Sequence, residues 1–177
     1  MASVFGHNLA AIALGKTFSE ELRKPKFWVL GILCSIAPDA DVLGFKFGVP
    51  YGSFWGHRGF THSFFFAILF GVAITFLFYT TKRSILSLYF ALCIASHSLL
   101  DAMTTGGLGV AFFSPFENSR YFLPWSPIQV SPIGLKQFFS EWGLEVIKSE
   151  IIWIGIPLLI TVLSISICKK YLRNLRG

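Results

Sequence analysis

The feature that most constrains this chain is a series of apolar runs separated by short charged turns. Four of them reach, or nearly reach, the ~20 residues needed to cross hydrocarbon. They are residues 27–37, which end at Pro38, and residues 63–80, 85–100 and 151–168. A fifth run, residues 2–14, is short and contains His7 and Asn8. For that run a tilted span, a half-inserted helix and an interfacial helix all stay open. The pattern predicts an all-α, polytopic membrane helical bundle of 4 to 5 apolar helices with a long extracytoplasmic loop segment, forming one domain over residues 1–177.

Composition supports this class. Hydrophobic residues make up 54% of the 177 residues, and the mean hydropathy of +0.64 exceeds that of ordinary soluble domains. Twenty Phe and five Trp suit lipid tails and the headgroup level. The formal charge of +6 would suit nucleic acid if the basic residues formed a stripe, but they cluster at the ends of apolar runs, so no nucleic-acid partner is expected. Cys34, Cys93 and Cys168 lie in apolar stretches without CxxC or Cys/His spacing and read as small buried hydrophobes. The first fifteen residues carry no Lys or Arg, unlike the basic start of a signal peptide, so the first helix is expected to be retained.

Basic residues mark cytoplasmic loops. The candidates are Lys16, Arg23, Lys24 and Lys26, then Lys82 and Arg83, then Lys169, Lys170, Arg173 and Arg176. Placing all three groups inside sends the run from Phe27 outward to Asp39, the next inward from His62 to Lys82, the third outward to Asp101 and the last inward from Glu150. The C-terminus is then cytoplasmic. The outer side keeps Lys46, Arg58, Arg120, Lys136 and Lys148 against seven acidic residues. Asp39, Asp41, His57, His62, His97, Asp101 and Glu150 thereby arrive at one outer face, joined by His7 if the first run spans.

Residues 102–149 are too long for a plain connector. Gly106, Gly107 and Gly109 are followed by a proline-rich, aromatic stretch that includes Phe112, Phe113, Phe116, Tyr121, Phe122 and Trp125. An outer cap with aromatic anchors is expected, with a short amphipathic helix around residues 136–147. The glycines either let backbone amides approach a substrate or form a turn.

The chemistry sits in four groups. His97 and Asp101, at i and i+4 near the end of an apolar run, share a helical face and can hold one ion. In His57-Arg58-Gly59-Phe60-Thr61-His62 the two histidines converge only if His57 precedes a helix and His62 falls in its first turn, with Thr61 as N-cap. Free amides there, with the Arg58 fork, favour an anion such as phosphate. Pro38-Asp39-Ala40-Asp41 ends an apolar helix with two carboxylates, one able to ligate and one able to orient a ligand histidine. His7 is the fourth. All four His and all three Asp of the chain belong to these groups. Ionisable residues at membrane spans are functional candidates by default. Nitrogen and oxygen donors without thiolates suit zinc, with manganese or iron as alternatives, in one or two ions. Glu150 is either a late ligand, a general base, or a carboxylate favouring a helix N-terminus.

The stretches GHRGFTHS, IAPDAD and ASHSLLDAMTTGG together resemble the YdjM-like family of predicted inner-membrane metal-dependent hydrolases. That family is in turn distantly similar to zinc-dependent phospholipase C and related nucleases. The resemblance implies a helical metal site in which His7, Asp39, His62, His97 and Asp101 are ligands. From the residues themselves, Asp41 and His57 are expected as hydrogen-bond partners of the ligands or as further ligands, Arg58 as anion binder and Glu150 as a late ligand or general base. The expected activity is hydrolysis of a phosphoester of a lipid or lipid-linked substrate at the outer membrane face through a metal-activated water. The alternative is metal-ion transport, or metal binding without hydrolysis.

Overall fold

The computed structural model describes residues 1–174 and is all-helical. Arg176, counted above with the basic C-terminal group, lies outside those residues. Among the described residues, three helical stretches are long and apolar enough to cross a membrane, Pro25–Phe47, Arg83–Ala102 and Glu141–Tyr171, with Phe64–Phe78 as a shorter apolar helix.

Helix α1 (Val4–Thr17) starts under the Ser3 hydroxyl, which accepts the Phe5 amide. It runs the depth of the bundle against α2 (Pro25–Ile36) and α4 (Arg83–Ala102). Residues 2–14 are thus a helix packed into the bundle, and at 14 residues α1 is shorter than the candidate spans. Pro25 occupies the first turn of α2, where a missing N–H costs nothing.

As the sequence suggested, the α-helix ends before Pro38, but the chain does not leave the helical path there. The α-helix ends at Ile36 and tightens into a 3-10 stretch, Ala37–Phe47, closed by Gly48 in the left-handed region. A proline is compatible with the start of that new stretch, because its absent N–H would have pointed back into the last turn of α2.

Helix α3 (Phe64–Phe78) packs chiefly on α4. The contact is close at Gly71, where a Cβ would stand 2.6 Å from the Ala91 amide nitrogen. The core among α1, α2 and α4 is aromatic, with Phe27 stacked on Tyr89 at 3.9 Å and Cys34 and Cys93 buried beside them. Cys168 departs from expectation and is exposed, because it lies on a helix that keeps most of its surface outside the bundle. That exposed surface is apolar along α3 and the last helix (Ile68, Leu77, Ile160, Ile167), as a lipid-facing helix requires.

The expected amphipathic helix near residues 136–147 is present as two pieces, α5 (Leu135–Phe138) and α6 (Glu141–Glu150). A π-helical turn over Ile151–Gly155 carries α6 directly into α7 (Ile156–Asn174). The last span therefore does not open at Glu150; Glu150 sits within a continuous helical path.

The two ends of the bundle differ in chemistry. At one, Lys82 pairs with Glu21, Lys26 reaches the Phe78 carbonyl, and Lys169 donates to the Thr17 carbonyl at 2.9 Å. At the other, the first residues of the chain, the 3-10 stretch, the start of α3 and the C-terminal end of α4 meet under the loop that follows Ala102.

Candidate metal centre

Each element delivers its side chain to that second end for a local reason. The 3-10 stretch turns Asp39 inward directly after α2. A single 3-10 turn, Phe60–His62, precedes α3 and buries His62. Ser63, not Thr61, caps α3, accepting the Phe66 amide at 3.0 Å. The Thr61 hydroxyl donates instead to Asp41 Oδ2 at 2.8 Å. His62 thus lies just outside the helix, free of its hydrogen-bond ladder. His97 and Asp101 share one face of α4 and are fully buried.

Four atoms converge. His97 Nε2 lies 3.1 Å from His62 Nε2 and 3.4 Å from Asp39 Oδ1. His62 Nε2 lies 3.7 Å from Asp39 Oδ1 and 3.6 Å from Asp101 Oδ2, and His97 Nε2 lies 4.0 Å from Asp101 Oδ2. Bonds of 2.0–2.1 Å in a tetrahedral zinc site give ligand–ligand edges of about 3.3 Å. The observed separations bracket that value.

The outer ring nitrogens decide the tautomers. His97 Nδ1 lies 2.7 Å from the Ser35 carbonyl, which can only accept, so this nitrogen carries the hydrogen. His62 Nδ1 lies 3.2 Å from Asp41 Oδ2 and is oriented in the same way. Both Nε2 lone pairs then face each other, and only a proton or a cation between them relieves the repulsion. Burial alone lowers the pKa of His62, but Asp39 and Asp41 outweigh it and raise the value to about 9. Both Asp39 oxygens are buried with no hydrogen-bond partner, a costly state for a carboxylate that a bound cation removes. The donor set therefore fits a divalent ion.

Around this shell the other expected residues take distinct places. Asp41 Oδ1 bonds His57 Nδ1 at 2.7 Å, while His57 Nε2 is buried and unpartnered. His7 is brought to the site but not into the four-atom group. Its ring stacks on His97 at 3.7 Å, nearly parallel, and its Nε2 stands 3.4 Å from Asp101 Oδ1, the oxygen turned away from the shell. That oxygen also accepts the Ala2 amide at 2.7 Å.

Arg58, at φ +62°, points inward and is fully buried. Its Nε donates to Asp101 Oδ2 at 3.1 Å, Nη1 to the Gly106 carbonyl at 2.8 Å and Nη2 to Thr104 Oγ1 at 2.9 Å. Gly107, at φ +98°, makes room for it: a Cβ there would stand 2.6 Å from Arg58 Nη1. Glu150 joins no ligand group. Its carboxylate accepts the Ser3 amide and the Ser3 hydroxyl and so holds the start of α1, a different helix from its own.

Residues 1–173 match the family described as YdjM inner membrane protein. The chain belongs to this family. The inner membrane protein YbcI of Escherichia coli (strain K12) is 39% identical over 160 residues, which cover 89% of this chain and 92% of that protein. No solved structure matches the chain. Membership bears out the family resemblance carried by the three motifs, and with the apolar helices makes this an inner-membrane protein.

In this YdjM family member, further residues complete the site that the motifs did not announce. Arg120 donates to the carbonyls of His57 at 2.8 Å, Tyr51 at 3.2 Å and Ser53 at 3.1 Å, so the loop after Ala102 fastens the His57 segment. Ser35 acts through its carbonyl, and Ala2 through its amide. A backbone group has no signature in a sequence, so neither could be singled out there. Thr61 and Thr104 lie inside the motifs, but their partners depend on the fold.

Proposed function

We propose that this protein is a membrane-bound metal-dependent hydrolase that cleaves a phosphoester of a lipid or lipid-linked substrate. The observation that carries this reading is the convergence of Asp39, His62, His97 and Asp101 with their lone pairs turned to one point and their outer nitrogens held by Asp41 and the Ser35 carbonyl. Zinc suits two imidazoles and two carboxylates best. A single ion is the natural complement. The second group, Asp41, His57 and His62, would need His62 Nδ1 as a donor, and a neutral imidazole whose Nε2 faces the first ion has no second lone pair.

When bound, such an ion supplies a Lewis acid that acidifies a water and offsets charge on a phosphoryl oxygen. The chain's own residues supply the rest. Arg58 fixes Asp101 through Oδ2, the same oxygen that faces His62 and His97. His57, whose pKa is lowered by burial more than Asp41 raises it, is neutral near neutral pH. Its free Nε2 is then a proton acceptor, kept in one tautomer by Asp41. Asp39 is the one ligand whose side chain keeps some exposure, 12%, while those of His62, His97 and Asp101 have none. The cover over the shell is thinnest at Asp39, although both of its oxygens are themselves buried, so substrate approaches from that side. By the positive-inside rule the end bearing Lys26, Lys82 and Lys169 faces the cytoplasm, which puts the site on the extracytoplasmic side.

The test is elemental analysis and phosphodiesterase assay of protein purified without chelator in lipid nanodiscs. Near-stoichiometric zinc, hydrolysis of a long-chain alkyl nitrophenyl phosphate, and loss of both in His97→Ala are expected. Absence of transition metal in wild type would overturn the site. Bound metal with metal uptake into proteoliposomes and no ester cleavage would favour a carrier instead.

A further inference from the structure

Beside the candidate centre lies an apolar cavity of about 470 Å³, lined by Met1, Val4, Phe5, Val42, Ile133 and Phe138, with Ser3 and Ser131 among its few polar neighbours. Its size is that of a small-molecule site, and its walls are of the kind that bind by desolvation. The cavities at the opposite end of the bundle are lined instead by lysines and acidic residues.

Two structural links join this cavity to the metal ligands. Val42 follows Asp39 by three residues in the 3-10 stretch Ala37–Phe47, and in a 3-10 helix side chains at i and i+3 eclipse one another. The residue that forms the cavity wall and the ligand Asp39 thus share a face. On the other wall, Met1 and Ser3 flank Ala2, whose amide holds Asp101. The cavity also opens toward lipid. Val4 and Phe5 on the first turn of α1 are exposed, the Phe5 ring stacks on Phe138 at 6.1 Å, and the adjacent Phe139 is 83% exposed. In a bilayer, alkyl chains are what such a mouth meets.

We infer that this cavity holds one alkyl chain of a membrane lipid, drawn in laterally past Val4 and Phe5, so that the lipid's headgroup linkage lies over Asp39. The inference rests on the hydrolase reading for the fate of the headgroup, and on the cavity alone for the chain. It places recognition in the apolar tail, with the headgroup presented at Asp39, the ligand that shares a 3-10 face with the cavity wall.

The test uses the full chain in nanodiscs containing a phosphatidylglycerol with a diazirine in one acyl chain, with photolabelled residues mapped by mass spectrometry and zinc measured on the same samples. Labelling at Val4, Phe5, Val42 and Phe138 is expected to exceed that at the lipid-facing controls Ile68, Leu77 and Ile167 several-fold. Val4→Trp, on an exposed position, and Val42→Phe should fill the cavity and remove the excess while zinc content stays at the wild-type level. Uniform labelling of cavity and control residues overturns the inference, as does labelling unchanged in both filled variants. Zinc-loaded protein with uniform labelling defeats the chain site and leaves the metal reading standing. Zinc-free protein with cavity-specific labelling does the reverse.

Discussion

His62 and His97 face each other through their Nε2 atoms at 3.1 Å, while the Nδ1 of His97 is committed to the Ser35 carbonyl and that of His62 to Asp41. Two neutral imidazoles oriented this way present lone pair to lone pair. The arrangement is stable only with a positive charge between them, and two carboxylates supply the remaining sides of its enclosure.

Removing a ligand and removing the group that orients a ligand should differ in degree. His97→Ala should abolish stoichiometric zinc. Asp41→Asn leaves the shell intact and loosens His62, and should weaken zinc affinity by about 10–100-fold. Chelator-competition titrations of the purified proteins measure both; equal, negligible effects would contradict the assignment.

Zinc affinity should depend on pH with a defined sign. In the metal-free site His62 titrates at about 9, so at neutral pH it holds a proton that must leave as the ion enters. Affinity should rise by roughly tenfold per pH unit below that value and flatten above it. Proton release on zinc addition in weakly buffered solution gives an independent reading, and a pH-independent affinity would exclude His62 as ligand.

Arg58 should matter for stability as well as for the site. Arg58→Ala leaves Asp101 buried without its guanidinium partner, a change that costs about 3–5 kcal/mol. Gly107→Val, at φ +98° and against Arg58 Nη1, should displace the same side chain and lower the thermal midpoint in detergent in the same direction. An unchanged midpoint in both would show that the Arg58–Asp101 pair is dispensable.

Gly71 tests the packing that aligns α3 with α4. A Cβ there would meet Ala91 backbone at 2.6 Å and 2.9 Å, and backbone cannot yield as a flexible side chain does. Gly71→Val should therefore lower the thermal midpoint and reduce zinc content, since His62, on the turn leading into α3, and His97, on α4, are held at their distance by the two helices so joined. Gly52→Ala, which meets only the Leu108 side chain at 3.7 Å, should leave both near wild type.

Orientation is checked by impermeant thiol labelling in a background with Cys168→Ser. Lys46→Cys, exposed at the site end, should label from outside in intact cells, and Thr81→Cys, exposed at the basic end, only after permeabilisation. The opposite pattern would put the site in the cytoplasm.

The sequence by itself determined the helical membrane class and the gathering of Asp39, Asp41, His57, His62, His97 and Asp101 at one end of the bundle, because apolar run length and the position of lysines are local quantities. It also carried the family resemblance, which resides in contiguous motifs. It did not show that Pro38 continues a helical path as 3-10, that Ser63 caps α3 while Thr61 serves Asp41, or that Arg58 turns inward on Asp101. Nor could it separate His7, stacked one layer out, from the four atoms that converge, or assign Glu150 to the start of α1. Those choices depend on which donors and acceptors meet across distances of up to 147 residues along the chain, and only the packed helices bring them within reach. Whether a histidine ligates, orients or stacks is decided by a few ångströms between separate helices, a scale on which sequence spacing carries no information.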